Sequence, residues 1–328
     1  NTYRTIGNFN NEIGMPLSLA NMPRDTKLCV LELGMNAPGE IKKLSEIAKP
    51  NVGIITNIGT AHAANFKDQQ KIAKEKSDIF SFFDQTSIAI IPFETDYYNL
   101  ISKKASQKTK LIYSFGQNKS CDFRIKTREK SVSKLMVIDK EFSFKNNQSS
   151  SNWEQNIVII LGLIRILNLK IKNIIPSIMK LTPIEGRGKI TQITYKKKSF
   201  TLIDESYNSS PESLAKAIEN LKNLKFNHTR KICVIGDMLE LGRMSKSSHL
   251  KIVKNLLNTK PDVVLTVGKH SYAIFEKLPE KFLKFHFKNY KNVFDKLLSI
   301  IENNDIIMIK GSNSTNLHLV SKRLIELK

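Results

Sequence analysis

The run "KICVIGDM" (231–238) is a short apolar segment that ends in glycine and aspartate. Similar runs recur on both sides of it, each separated from the next by a longer stretch with helical spacing. Strands that alternate with helices of this length indicate a doubly wound parallel sheet, so the second half of the chain is predicted to be an α/β domain. The strand-like runs are "FTLID" (200–204), "KICVIGDM", "DVVLTVG" (262–268) and "DIIMIKG" (305–311), and the helical patterns lie at 211–224, 245–257, 291–302 and 315–327.

The first half of the chain predicts a second α/β unit. Two buried-strand candidates flank a helix that begins near Gly39, and a later stretch rich in Lys, Ser and Asn carries short apolar islands typical of antiparallel strands. A long helix closes this unit. The predicted elements are strands at 27–34 and 51–59, helices at 39–48 and 68–83, antiparallel strands within 101–150, and a helix at 153–168.

The segment "TPIEGRGKI" (182–190) interrupts the pattern with one proline and two glycines, which mark a loop. We therefore predict a hinge there, between one domain at 1–185 and another at 186–328. With 328 residues and a hydrophobic share of 41%, the chain is large enough for two cores of about 150 residues each.

Nothing in the sequence predicts a membrane span or a disulfide framework. The longest apolar run, 157–164, is far shorter than the ~18 residues that a bilayer requires. Three cysteines, Cys29, Cys121 and Cys233, are odd in number and far apart. This usage is typical of reduced thiols, so we expect a cytoplasmic protein.

The formal charge of +22 raises the question of nucleic-acid binding. Only nine of the 52 basic residues are arginine, and the 43 lysines are spread along the whole chain. Nucleic-acid sites favour arginine and clustered basic stripes with aromatic residues between them, so a dedicated site is not predicted. The charge suits anionic small-molecule substrates, which it would attract over long distances.

Two polar residues follow strands of the first unit, where the carboxyl ends of parallel strands form a crevice. Glu32 ends "CVLELG", Gly34 lets the chain turn close to a ligand, and His62 follows "GIITNIG" on the end of a neighbouring predicted strand. A carboxylate and an imidazole brought together could hold a divalent cation, although two ligands make an incomplete shell. The alternative is that each residue is an ordinary hydrogen-bonding side chain.

Two lysines lie on the helix that follows. Lys74 and Lys76 are two residues apart and cannot share a helix face, so we expect one to point inward and the other to face solvent. An inward lysine near a metal site can be chemically modified or shifted in pKa. The alternative is a lysine whose stem lies along apolar surface with its head in water.

Eight motifs in a fixed order resemble those of the Mur ligase family, and within it the members that add D-alanyl-D-alanine. The resemblance runs from residue 1 to about 320. The motifs are "TIGNFNNEIGMP" (5–16), "LELGMNAPGEI" (31–41), "NIGTAHAANF" (57–66), "AKEKSDIF" (73–80), "GRG" (186–188), "LIDESYNSSPESL" (202–214), "GDMLELG" (236–242) and "IKGS" (309–312).

The resemblance implies a fold and a reaction. The fold is α/β, with a central ATP-binding domain whose parallel sheet is incomplete, followed by a C-terminal Rossmann-like domain. The reaction joins D-alanyl-D-alanine to UDP-N-acetylmuramoyl-tripeptide in peptidoglycan precursor synthesis, using ATP and Mg²⁺ through an acyl phosphate. We expect a monomer with no nucleic-acid partner.

The resemblance also implies roles for individual residues. Glu32 and His62 match the Mg²⁺ ligands, and Lys76 matches a lysine whose carbamylation supplies a third, carboxylate-like ligand; these three are the candidate catalytic residues. The candidate ATP-binding residues are Asn156, Arg187, Glu205, Tyr207 and Asn208, and the candidate substrate-binding residues are Asn8, Asn10, Asn11, Lys310 and Ser312.

The sequence departs from the family pattern at four positions. Asn152 stands where the family has His, Glu205 stands where it has Asp, and Ser209 and Ser210 replace Ala and Asn. Glu205 keeps the negative charge, so a ribose contact could survive the change, whereas Asn152 has no titratable ring. These differences affect individual contacts more than the resemblance as a whole.

A phosphate-binding loop of the form G-x-x-x-x-G-K-[ST] is absent from the sequence. The resemblance puts that loop, and an N-terminal UDP-binding domain, upstream of Asn1. We therefore expect this chain to be an N-terminally truncated fragment, inactive in the complete reaction on its own. Two alternatives stay open: another Mur-type or folylpolyglutamate-type amino-acid ligase, and a non-catalytic basic binding module.

Overall fold

A computed structural model describes residues 1–59, 65–66, 68–129, 132–145, 151–170, 176–178, 180–224 and 229–327. The chain divides into two compact units. The first unit comprises 1–146 and 154–175, and the second comprises 147–153 and 176–328. The predicted boundary after residue 185 stays a prediction.

The first half of the chain alternates short strands with helices and then continues with three longer strands and a long helix. Helix α3 continues into a single 3₁₀ turn, Asp78–Phe80. The elements are β1 Thr2–Arg4, α1 Gly14–Ala20, β2 Leu28–Val30, α2 Glu40–Ala48, β3 Val52–Ile54, α3 Gln69–Ser77, β4 Ile88–Pro92, α4 Tyr98–Ser106, β5 Leu111–Gly116, β6 Phe123–Glu129, β7 Val132–Val137, β8 Lys140–Lys145 and α5 Ser151–Ile166.

Two sheets form in the first unit. Strands β1 and β2 make a two-stranded parallel sheet, and strands β3 to β8 make a six-stranded sheet in simple chain order. Pairing is parallel from β3 to β6 and antiparallel from β6 to β8, as predicted for the apolar islands. The core of this unit lies between the sheet and helices α2, α3 and α4, with Ile41, Ile72 and Ile101 almost fully buried.

The strands predicted at 27–34 and 51–59 are expected to be neighbours. This expectation is wrong, because within the described ranges the two strands form no hydrogen bonds with each other. Strand β2 pairs with β1, and strand β3 pairs with β4. Both strands are only three residues long, although their apolar runs are longer. Residues 31–34 and 55–59 lie beyond the strands in irregular segments.

The second unit contains the predicted alternation of strands and helices. Its elements are β9 Lys189–Tyr195, β10 Lys198–Glu205, α6 Pro211–Asn223, β11 Lys231–Gly236, α7 Ser245–Thr259, β12 Val263–Val267, α8 Tyr272–Lys277, β13 Leu283–Phe287, α9 Val293–Ile300, β14 Ile306–Lys310 and α10 Leu317–Ile325. The strand order is β13-β12-β11-β14-β10-β9, and every pair is parallel except β9 with β10.

Apolar side chains cover both faces of this sheet. Helices α6, α7 and α8 pack on one face through residues such as Leu214, Ile252 and Ile274. Helices α9 and α10 pack on the other through residues such as Leu297 and Leu324. Two helical layers around a parallel sheet are the doubly wound arrangement, so the prediction for this half is confirmed.

Helix α6 shows how the local sequence places an element. Ser210 and Ser213 form a reciprocal capping box, and Pro211 occupies the first turn, where its missing N–H has no effect on helical pairing. No helix in the described ranges combines the length and the apolar character that a membrane span needs.

Candidate functional site

The segments that follow β1 and β2 meet through Asn10 and Glu32. The Asn10 Nδ2 donates to Glu32 Oε1 at 2.9 Å, and the Gly34 N–H donates to the Asn10 carbonyl at 2.7 Å. A Cβ on Gly34 would lie 2.8 Å from the Asn10 side chain, so only glycine fits at position 34 without movement. Asn10 thus orients the Glu32 carboxylate, while the side chain of Glu32 stays exposed.

The other two asparagines of the first motif contact the backbone. Asn11 Oδ1 accepts from the Gly14 N–H at 2.8 Å and the Ile13 N–H at 3.2 Å, which satisfies donors at the start of α1. The Asn8 carbonyl accepts from the Asn10 N–H at 2.8 Å, and the residue is exposed.

Lysines 74 and 76 differ in their surroundings, as predicted. Lys74 is exposed, whereas Lys76 is half-buried and its Nζ donates to the Asn57 carbonyl at 2.7 Å. Burial lowers the pKa of the Lys76 ammonium below its ordinary value. Lys76 therefore reaches the segment that follows β3, and its amine loses its proton more readily than an exposed lysine does.

Glu75 is a functional candidate that the sequence did not reveal. Its buried carboxylate accepts from the Gly39 N–H at 2.8 Å and from the Ile41 N–H at 2.9 Å, both at the start of α2. Gly39 has a φ of 91° and no side chain, so it cannot cap its own helix. Glu75 supplies the cap from α3, and the adjacent residues Glu75 and Lys76 hold the segments after β2 and β3 respectively.

The donor set of a metal site is only partly described. Glu32 offers carboxylate oxygens of the kind that Mg²⁺ prefers, and a carbamylated Lys76 would offer two more, so the chemistry of these residues fits the ion. His62 lies outside the described residues. Within the described part of the chain, no group of three or more His, Cys, Asp or Glu side chains has the geometry of a metal site.

In the second unit, Arg187 lies against Tyr207. The guanidinium carbon of Arg187 is 4.3 Å from the centre of the Tyr207 ring, within the range of a cation–π contact. Arg187 lies just before β9, in the segment 182–190 for which a hinge is predicted, and Tyr207 is the second residue after β10. The exposed Tyr207 ring limits the directions in which the guanidinium can point.

Glu205 and Lys310 occupy facing positions at the carboxyl ends of β10 and β14. The Lys310 Nζ lies 3.1 Å from Glu205 Oε2 and donates to the Asn208 carbonyl at 3.0 Å. Ser312, two residues beyond Lys310, donates through Oγ to the Ser209 carbonyl at 3.4 Å. These contacts bring Glu205, Asn208, Lys310 and Ser312 into one cluster.

The "GDMLELG" segment joins the same cluster. The Leu239 N–H donates to Ser312 Oγ at 2.9 Å, and the Ser312 N–H donates to the Asp237 carbonyl at 3.0 Å. The Asp237 carboxylate accepts from the N–H groups of His270 and Ser271 at 3.0 and 2.7 Å. The segment therefore connects the ends of strands β11, β12 and β14.

His249 anchors this segment from helix α7. Its Nε2 accepts from the Met238 N–H at 3.0 Å, and its Nδ1 lies 2.7 Å from the Ser245 carbonyl. The Met238 contact requires a lone pair on Nε2, so the partners assign the proton to Nδ1. Burial lowers the pKa of His249, although nearby Asp237 opposes this shift. A neutral imidazole is thus the form that fits.

Most predicted site residues fall into two groups, one in each unit. Asn10 and Glu32 are in contact in the first unit, and Lys76 binds a separate segment there. Asn156 is an exposed residue of α5, and the side chain of Asn152 lies outside the described part. The second-unit group is Arg187, Glu205, Tyr207, Asn208, Lys310 and Ser312.

Known families match both halves of the chain. The Mur ligase middle domain matches residues 1–164, and the Mur ligase glutamate ligase domain matches residues 191–313. These ranges correspond broadly to the two units.

Two curated relatives share one name. A UDP-N-acetylmuramoyl-tripeptide–D-alanyl-D-alanine ligase of Rickettsia prowazekii is 33% identical, covering 96% of this chain and 70% of its own length. The protein of that name from Bacillus subtilis is 28% identical, covering 99% of this chain and 70% of its own length. The chain thus spans about 70% of the length of these relatives.

Solved structures resemble the fold closely. A crystal structure of MurF from Acinetobacter baumannii has a TM-score of 0.87 at 26% identity, covering 99% of this chain and 70% of that one. MurF ligase from Thermotoga maritima, solved in complex with ADP, has a TM-score of 0.85 at 23% identity, which shows the same fold; the match covers 99% of this chain and 73% of that one.

Proposed function

Because the chain belongs to the Mur ligase family, we propose that its residues serve ATP-dependent amide formation between UDP-N-acetylmuramoyl-tripeptide and D-alanyl-D-alanine. The names of the relatives support this substrate pair. The reaction belongs to peptidoglycan precursor synthesis. It takes two anionic substrates, a nucleotide-linked tripeptide and ATP, which suits a chain with a formal charge of +22.

The reaction has two steps. A terminal carboxylate oxygen of the tripeptide attacks the γ-phosphorus of ATP, which forms an acyl phosphate and releases ADP. The amine of D-alanyl-D-alanine then attacks the acyl carbon and loses a proton, and phosphate leaves as the amide bond forms. Both steps build negative charge on oxygen, so fixed cations and N–H donors accelerate them.

The observation that carries the proposal is the cluster at the carboxyl ends of β10 and β14. Ligands of open α/β sheets bind at this edge, beyond the strand ends. Glu205, Lys310 and Asn208 are joined there by hydrogen bonds of 3.0 to 3.1 Å. A polar cluster on paired strand ends offers fixed groups to a nucleotide.

We assign the ATP contacts of the second unit to four residues. Arg187 binds phosphate oxygens through its planar guanidinium, whose paired N–H donors match them. Glu205, Tyr207 and Asn208 contact the ribose and the phosphates. In the first unit Asn156 contacts the adenine side.

The remaining site residues bind the substrates. Asn8, Asn10 and Asn11 line the crevice for the nucleotide and the tripeptide. Lys310 and Ser312 face the incoming D-alanyl-D-alanine. The hydrogen bonds of Asn10 to Glu32 and of Asn11 to the start of α1 give this loop a fixed shape before substrate arrives.

Mg²⁺ is the metal that this chemistry calls for. We propose that Glu32, His62 and carbamylated Lys76 hold it. When bound, it would neutralise charge on phosphoryl and acyl oxygens. Glu75 supports this site indirectly, because it fixes the start of α2 beside the segment that carries Glu32.

The test is an assay of the complete natural protein that contains these residues. ATP-dependent release of phosphate should require both UDP-N-acetylmuramoyl-tripeptide and D-alanyl-D-alanine, and single amino acids should not replace the dipeptide. Arg187→Ala should raise the KM for ATP by about tenfold or more, since it removes a charged hydrogen-bonding group. Turnover with single amino acids in place of the dipeptide would overturn the proposal.

A further inference from the structure

We propose that Asp204 is a positioning residue that sets the guanidinium of Arg187 for an anionic oxygen ligand. This inference rests on the proposed function, in which that ligand is a nucleotide phosphate. Asp204 is the penultimate residue of β10 and is 4% exposed. A carboxylate so deeply buried needs hydrogen-bond donors around it, and the identity of those donors shows what it holds.

The side chain of Asp204 joins the hinge segment to the segment after β10. Its Oδ2 accepts from the Gly186 N–H at 2.8 Å. Its Oδ1 accepts from the Ser206 Oγ at 2.5 Å and from the Ser206 N–H at 3.2 Å. Each carboxylate oxygen therefore binds a different segment, and Arg187 and Tyr207 are the next residues along these segments.

Backbone hydrogen bonds complete the frame around Arg187. The Asp204 carbonyl accepts from the Gly188 N–H at 2.7 Å, so Asp204 holds the residue on each side of Arg187. The Tyr207 N–H donates to the Gly186 carbonyl at 3.0 Å. The two segments are thereby fixed together, with the Arg187 side chain over the Tyr207 ring.

Gly186 permits this close approach. Its φ is +74°, which side-chain-bearing residues rarely adopt, and a Cβ there would lie 2.8 Å from the Tyr207 Cβ. A larger residue would separate the hinge segment from Tyr207. Gly186→Ala should therefore reproduce the effect of losing the Asp204 anchor.

Only a carboxylate satisfies both sides of this contact. Asp204 faces N–H and O–H donors through both of its oxygens, and an ionised carboxylate only accepts. In Asp204→Asn an NH₂ group replaces one of the two oxygens. This group cannot accept a hydrogen bond, so the segment that the lost oxygen held is released. The variant keeps the size of the side chain but loses one of the two anchors, so it tests positioning with little change in packing.

Asp305 provides a matched control next to the same sheet. It is a buried aspartate that directly precedes β14, at the end of the strand opposite to the cluster. Its carboxylate accepts from the Arg230 Nε and Nη2 at 3.1 Å and from the Glu302 N–H at 2.8 Å. Asp305→Asn should lower thermal stability and leave nucleotide affinity unchanged.

The experiment is a double-mutant cycle of Asp204→Asn and Arg187→Ala in the complete natural protein, read as ADP affinity by calorimetry and as the KM for ATP. Asp204→Asn should weaken ADP binding about tenfold in the wild-type background, which is the effect of one misplaced charged contact. It should have less than a twofold effect in the Arg187→Ala background, because the group that it positions is gone.

The same loss in both backgrounds would overturn the inference, since a residue with only a structural role acts whether or not Arg187 is present. If Asp204→Asn fails to fold, Ser206→Ala in the same cycle tests the same coupling, because it removes a donor that orients the carboxylate. If the protein binds ADP and the effects of the two substitutions on ADP affinity are additive, only this inference is overturned. A wild-type protein that binds neither ADP nor ATP overturns the proposed function as well.

Discussion

The Glu205 carboxylate and the Lys310 ammonium lie 3.1 Å apart at facing positions of paired strands, although 105 residues separate them in the chain. The Lys310 side chain is 4% exposed and that of Glu205 is 21% exposed. The pair is therefore asymmetric. The Lys310 ammonium is shielded from water and depends on the Glu205 carboxylate to compensate its charge, whereas the Glu205 carboxylate still contacts water. A buried charge that loses its partner is strongly destabilising.

This asymmetry predicts the order of two substitutions. Glu205→Gln should lower the free energy of unfolding of the second unit by about 2 kcal/mol, because it leaves the ammonium buried without a counter-charge. Lys310→Met should have a smaller effect, since it leaves a carboxylate that water can reach. Hydrogen exchange of β10 and β14 measures both variants, and a larger loss for Lys310→Met would contradict the asymmetry.

The proposed carbamylation of Lys76 predicts a carbamate that can be detected directly. The neutral amine attacks the carbon of CO₂, an N–C bond forms and a proton is released. Burial lowers the pKa of Lys76, so the amine is available at lower pH than that of an exposed lysine. In ¹³C-bicarbonate buffer the protein should show a carbamate signal by ¹³C NMR.

Lys74 provides the matched control for that signal, because it lies on the same helix and is exposed. Lys76→Arg should abolish the carbamate resonance and Lys74→Arg should retain it. A signal that survives Lys76→Arg would show that another amine is the one modified.

The Glu75 cap predicts a local effect on helix α2. Glu75→Ala leaves the Gly39 and Ile41 N–H groups without their acceptor, which should cost about 1–2 kcal/mol and speed hydrogen exchange in residues 39–48. Glu46→Ala, at an exposed position of the same helix, should change little. Equal effects of the two substitutions would exclude a capping role.

His249 predicts a pH dependence in the second unit. Its pKa in the folded protein is lowered by burial, so the unfolded chain takes up a proton first as the pH falls below about 6.5. Stability from this residue is therefore complete above pH 6.5 and is lost as the pH falls through the lowered pKa. Asp237 and His270 are the charged or titratable groups that act on it, in opposite directions.

His249→Gln tests that sign, because glutamine can place an acceptor near the Nε2 position but cannot be protonated. At pH 8 the variant should be about 1 kcal/mol less stable, and the difference should shrink as the pH is lowered to 5. His286, whose pKa burial also lowers, is present in both proteins and cancels. His318→Gln serves as a control. If the difference in stability between His249→Gln and the wild type stays constant with pH, the assignment of a neutral imidazole to His249 is contradicted.

Local sequence pattern predicted the strands that are buried in the sheet centre. Residues 232–235, 263–267 and 306–309 are continuous apolar runs apart from Thr266, and all lie in buried strands. Strand β13, "LKFHF", was missed because it lies at the sheet edge, where Leu283 is exposed and the apolar run is interrupted. Helix α8 was missed because it has only six residues, too few to show a helical period.

The candidate site was predictable only in part. Glu32 could be selected from sequence because it closes a strand-like run and the carboxyl ends of parallel strands gather ligands, whereas Glu205 could be selected only through the family motif that contains it. Glu75, Asp204 and His249 gave no such signal. Each acts on backbone N–H groups of another segment, and a sequence does not record which backbone groups lie nearby.

The sequence by itself determined the alternation of strands and helices and, through its motifs, the family resemblance, because both depend on neighbours along the chain. The tertiary structure alone decided the partners: Lys310 with Glu205, Asp204 with Gly186, and Glu75 with the start of α2. Strand register and helix packing set these contacts, and both depend on burial across the whole unit. The chemistry of single residues is therefore readable in the sequence, whereas their positioning is a property of the folded chain.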